Sequence, residues 1–180
     1  MSLERAIEEA EAERLKAIET ERQAEAEKAE AARIEGVEMD RGAALLVDAA
    51  RLASDVASPN VVLCRSKPGL LTPWRAPQPI ERGWHVVRWL VLTEAGALVN
   101  AHPRASGDEL FGRNRAAIES YEDQGLSAWE DVDDRRDPNF HLWNGTLTLF
   151  GGFSRYTERR HATMEQELAE FIVRLRESAV

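Results

Sequence analysis

Apolar residues are few and small over the first 35 positions and become large and frequent after them, which divides the chain in two. Residues 2 to 35 consist mainly of Ala, Glu, Arg, Lys and Gln, all good helix formers, with no proline or glycine until Gly36. That pattern predicts one long helix with Gly36 as its C-terminal stop, reaching roughly 50 Å at 1.5 Å per residue. Five acid–base pairs at i,i+3 spacing support it: Glu11–Arg14, Glu13–Lys16, Glu19–Arg22, Glu25–Lys28 and Glu30–Arg33.

The helix carries a thin apolar seam. Leu3, Ala10, Ala17, Ala24 and Ala31 repeat every seven residues, flanked by Ile7, Leu15 and Ile18. Arg14, Glu21 and Lys28 fill the complementary heptad positions, so a strict zipper is absent. Ile7, Ile18 and Ala29 are spaced by eleven, as are Leu15, Ala26 and Val37, a period suited to a straighter or right-handed bundle. Residues 1–36 are therefore expected to form a coiled-coil-like arm for oligomerisation or docking.

Residues 37–180 read as a globular domain. Leu45, Ala49, Leu52 and Val56 stack at helical spacing, with Leu46, Val47 and Ala50 widening the face, until Ser58-Pro59-Asn60 ends the helix. Val61 to Cys64 predicts a short strand, and the proline-rich residues 66 to 83 a long loop. Trp84 to Thr93 predicts one strand, apolar on both faces and hence central, paired through Glu94-Ala95-Gly96 with residues 97–100. Ser106 to Glu109 matches a capping box for a helix running to Gln124 and stopped by Gly125; Ser127 to Glu130 repeats the pattern and predicts a further turn of helix. Phe140–Trp143, Asn144-Gly145 and Thr146–Phe150 form the strongest hairpin signal. Met164, Leu168, Phe171, Ile172 and Leu175 line one face of a closing helix. The expected class is α+β: a helical arm, then an antiparallel sheet of about five strands packed by helices.

Charge sharpens this division. Residues 1–41 hold thirteen acidic and seven basic side chains, or −6, which leaves −3 of the total −9 for the rest. An acidic arm and a nearly balanced domain argue against wholesale binding to nucleic acid or a membrane surface. The single Cys64 allows no intramolecular disulfide, and the start of the chain lacks the pattern of a secretory signal. A cytoplasmic protein or a part of an assembled particle is expected.

Candidate chemistry is thin. His85, His102, His141 and His161 stand at no metal-ligand spacing, and Asp131, Asp133, Asp134 and Asp137 before His141 lack the form of a calcium loop. Gly151-Gly152 lacks a phosphate-binding pattern. No catalytic, cofactor or metal site is assigned. Arg65, Lys67, Arg75, Arg82 and Arg88 interleave with Trp74, Trp84 and Trp89, which gives a nucleic-acid surface as one alternative. Trp74 and Arg75 fit better as a protein contact.

The function expected from these features is a non-enzymatic assembly protein that associates with itself or with a larger complex, of which a bacterial or phage particle is one setting. The contacts fall to Leu3, Ile7, Ala10, Leu15, Ala17, Ile18, Ala24 and Ala31. The first alternative is a ligand-sensing domain with a signalling helix, which needs a cavity lined by residues such as Trp89, Trp143 and Phe150.

Overall fold

The structure, a computed structural model, describes residues 3–65, 78–103, 115–131, 139–149 and 162–179. The chain is α+β, with a long N-terminal helix followed by a five-stranded sheet, a separate hairpin and a C-terminal helix. It divides into two compact units, Met1–Met39 and Asp40–Val180. Among the described residues no helix is long and apolar enough to cross a membrane.

Helix α1 runs from Leu3 to Val56. The stop expected at Gly36 is not used, because both flanks are strong helix formers and no proline follows. A lone interior glycine costs only about 1 kcal/mol relative to alanine, too little to break so long a run. The helix ends instead at the expected Ser58-Pro59-Asn60, with the Ala57 amide still donating to the Ala53 carbonyl at 2.9 Å.

Beyond Asp40, α1 buries Gly42, Leu46, Ala49, Ala50 and Ala53. This face is turned from the expected one, for Val47 and Leu52 are exposed. Small residues set the orientation by allowing close approach. A β-carbon at Gly42 would overlap the Phe140 ring, and one at Gly96 would lie 2.8 Å from the Val47 α-carbon.

The sheet is a closed barrel in the order β1 (Val61–Arg65), β2 (Gln78–Val87), β3 (Leu90–Thr93), β4 (Leu98–Pro103) and β5 (Ser127–Asp131). Neighbours are antiparallel except β1 and β5, which pair in parallel to close it. Three expectations fail here. Gln78 to Gly83, expected within the loop of residues 66 to 83, belong to β2, because pairing with β1 overrides the loop signal of Pro79. Trp84 to Thr93 is not one strand but parts of β2 and β3, divided at Arg88-Trp89, where Arg88 takes φ 51° and the His85 Nε2 lies 2.7 Å from its carbonyl oxygen. Ser127 to Glu130 is not helical but begins β5, because pairing with β1 and β4 outweighs its local capping pattern. The β3–β4 hairpin turns at Gly96, φ 79°, as predicted, and all four residues of β3 are buried.

Val61, Leu63, Val91, Ala101 and Trp129 form one buried cluster of the barrel. On the other face of β1, Val62 and Cys64 meet Leu126 and Tyr121, the latter from α2 (Arg115–Glu122). Gly125, φ 73°, follows α2 as expected; the capping box at Ser106 and residues 66–77 of the expected 66–83 loop lie outside the described residues.

Strands β6 (Phe140–Trp143) and β7 (Thr146–Leu149) form the predicted hairpin, with Asn144 at φ 48° and Gly145 at φ 76°. Helix α3 (Met164–Ser178) buries all five predicted residues. A capping box opens it: the Thr163 hydroxyl accepts from the Gln166 amide while the Gln166 side chain accepts from the Thr163 amide. Arg174 donates to the Val86 carbonyl at 2.6 Å, tying α3 to β2, and Asn139 donates to the Leu98 carbonyl at 2.8 Å. Arg41 of α1 pairs with Glu165 of α3.

Candidate functional site

The arm presents large apolar side chains to solvent. Leu15 is 67 % exposed, and Ile7, Ile18, Ile34 and Val37 are exposed as well. An exposed leucine alone means little; their arrangement carries more. At 100° per residue, Ile7, Leu15, Ile18, Ala26, Ala29 and Val37 fall within a band about 120° wide. Ala10, Ala17, Ala24 and Ala31 are also exposed, but they drift away from that band by about 20° per heptad. The predicted contact residues therefore occupy two faces, a larger apolar one and a small-residue one. Leu3 begins the helix, and its side chain lies outside the described residues.

Leu15, Ile18, Glu19, Arg22, Gln23 and Ala26 line a shallow, open depression on this helix. Of the five predicted i,i+3 pairs, Glu30–Arg33 closes, with Arg33 donating to both carboxylate oxygens at 2.7 and 2.8 Å. That bond holds the Glu30 carboxyl below its ordinary pKa and the Arg33 guanidinium above its own.

The second unit offers less. Trp84 is fully buried and its indole donates to the Ala57 carbonyl at 3.1 Å, so it is unavailable for stacking on bases. Trp74, Arg75 and Lys67 lie outside the described residues. Trp89 is 39 % exposed and its ring lies tilted against His102, 4.6 Å between centroids; Trp143 is 55 % exposed and makes a T-shaped contact with His141. Phe150 lies outside the described residues. A third ring pair, His85 with Trp129 at 4.9 Å, joins the non-adjacent strands β2 and β5. Alternation along the strands could have suggested these contacts only if the barrel's closure were known.

The barrel exterior has an open depression lined by Val62, Pro79, Ile80, Glu81, Arg82, Glu94, Ala95 and Tyr121. Its charged groups include no histidine or cysteine to act with the carboxylates. Cys64 is buried, and burial, assisted by the nearby Glu130 charge, pushes its thiol up to about 11. Such a group is a protonated thiol at neutral pH, the reverse of an activated nucleophile. Burial likewise raises the Tyr121 phenol, with Cys64 adding to the effect and Arg82 opposing it. Among the described residues no three His, Cys, Asp or Glu side chains gather to hold a metal; residues 132–138 of the acidic run lie outside them.

In comparison with known proteins, no family model matches the chain, and neither a curated protein nor a solved structure does.

Proposed function

We propose that this chain is a non-enzymatic assembly protein whose N-terminal helix is its means of association, pairing with copies of itself in a coiled-coil-like manner or docking into a larger complex. One observation carries the reading: Ile7, Leu15, Ile18 and Val37 are exposed along one band of a regular helix. Helices in proteins owe most of their stability to tertiary packing of such a face rather than to propensity. Burying these side chains against a partner supplies that packing at roughly 25 cal/mol for each Å² removed from water. Because alanine fills much of the band, each contact is small, and association depends on several acting together.

The test is mass in solution. Sedimentation of the full-length chain should show species above the 20.2 kDa monomer as concentration rises. Leu15→Glu with Ile18→Glu should return it to monomer without loss of the Trp84 and Trp129 core signal. A chain that stays monomeric at high concentration, and recruits no protein through residues 1–35, sinks the proposal.

A further inference from the structure

We infer that the arm's eleven-residue face is covered by the same face of a second copy, running antiparallel about a two-fold axis between Lys16 and Ala17. The inference rests on the reading of the arm as an assembly element and goes further by naming partner and direction. Three observations carry it.

The first is the place of charge within the band. Glu11 and Arg22 lie near the middle of the strip formed by Ile7, Leu15, Ile18 and Ala26. A partner covering the apolar residues must also meet these two. The second is a shared centre. In an isologous two-fold pair, residue i meets j and j meets i. Leu15 with Ile18, Glu11 with Arg22, and Ile7 with Ala26 are each centred on the point between Lys16 and Ala17. One axis therefore sets the central apolar layer, puts opposite charges together on both sides of it, and aligns the outer apolar layer. A parallel pair in register would instead oppose Glu11 to Glu11 and Arg22 to Arg22 inside the seam. Charge at such positions sets partner choice and orientation in paired helices.

The third is the surface depression. Leu15, Ile18, Glu19 and Arg22 are spaced i, i+3, i+4, i+7, as are Glu19, Arg22, Gln23 and Ala26. Each set has the spacing of the four-residue hole that receives a knob from a paired helix. With the axis between Lys16 and Ala17, the first hole comes opposite Leu15 of the second copy. The second comes opposite Glu11 of the second copy, beside Arg22. The apolar knob meets Leu15 and Ile18 of its hole, and the acidic knob meets Arg22.

The test uses the full-length chain. Glu11→Arg and Arg22→Glu are changes at exposed positions, and circular dichroism checks that each variant keeps its helix. Each single change should weaken self-association about tenfold or more, and the double swap should restore it to near the parent value. Spin labels at Ala31, off the apolar band, should lie about 45 Å apart across the pair, against less than about 25 Å for parallel arms. A short distance, or single changes without effect, overturns the antiparallel pair while leaving the assembly reading intact. A monomer whose arm binds a different purified protein overturns the second copy as occupant and again leaves that reading. A monomer with no arm-dependent partner overturns both.

Discussion

Gly36 and Gly42 sit in the same helix, yet replacing each with alanine should move stability in opposite directions. Nothing stands within 4 Å of a β-carbon built at Gly36, so Gly36→Ala gains helix propensity of about 0.5–1 kcal/mol. At Gly42 the added methyl meets the rigid Phe140 ring. Overpacking of about 1–3 kcal/mol outweighs the same propensity gain, leaving a net loss of roughly 1 kcal/mol. Denaturation followed by helical signal for Gly36 and by tryptophan fluorescence for Gly42 checks both signs. Cys64 supplies a pH-dependent case. Its folded pKa is raised to about 11 from the ordinary 9.0, so the native state holds the proton more tightly than the unfolded chain. That contribution is fully present below the ordinary thiol value and is lost as pH rises through the folded value. The parent's denaturation midpoint should therefore fall between about pH 8 and pH 10.5 by more than that of Cys64→Ala. Some fall should persist in the variant, because Tyr121 is raised as well.

Among the elements, α3 has the clearest division of labour. Phe171 is 1 % exposed, so Phe171→Ala should cost about 3–5 kcal/mol. Its exposed neighbour Val173→Ala should stay within about 0.5 kcal/mol by the same denaturation assay. Both α3 and the β6–β7 hairpin were legible in the sequence because their signals are local: apolar spacing in one, Asn144-Gly145 in the other. The barrel was harder to read. Ser127 to Glu130 has the letters of a capping box, but its structure is decided by strands remote in sequence, and Trp129 fills the core. The turn at Arg88-Trp89 places a non-glycine residue at positive φ, which no residue preference announces. Gly36 has the chemistry of a helix end, but strong helix formers on both sides carry the helix through it. Of the candidate interaction surface, the exposed band and its period were visible from spacing alone. The opposition of Glu11 to Arg22 emerges only when a two-fold axis is drawn.

At the scale of the whole molecule, the two compact units should answer to different probes. Every tryptophan lies after Met39, so tryptophan fluorescence reports the second unit, whereas a large share of helical signal comes from the arm. The arm's helix has few long-range contacts of its own and should melt at lower denaturant, since isolated helices are marginal in water. Far-ultraviolet dichroism and fluorescence should then trace different transitions, with dichroism beginning to fall first. Coincident curves would show that one cooperative event unites both units. Raising protein concentration should shift the early dichroism loss to higher denaturant and leave the fluorescence curve in place, as mass action requires for an associating arm.

The parallel pairing of β1 with β5 also constrains how the chain is made. Synthesis delivers β1 early, and β2, β3 and β4 can join it in turn through local antiparallel contacts. The second edge of β1 has no partner until Ser127 to Asp131 leave the ribosome. During that interval an apolar strand, Val61 to Cys64, is open on one side, the condition under which chains pair with the wrong neighbour. A nascent chain halted before β5 should therefore be prone to aggregate, and completing those five residues is the step that seals it.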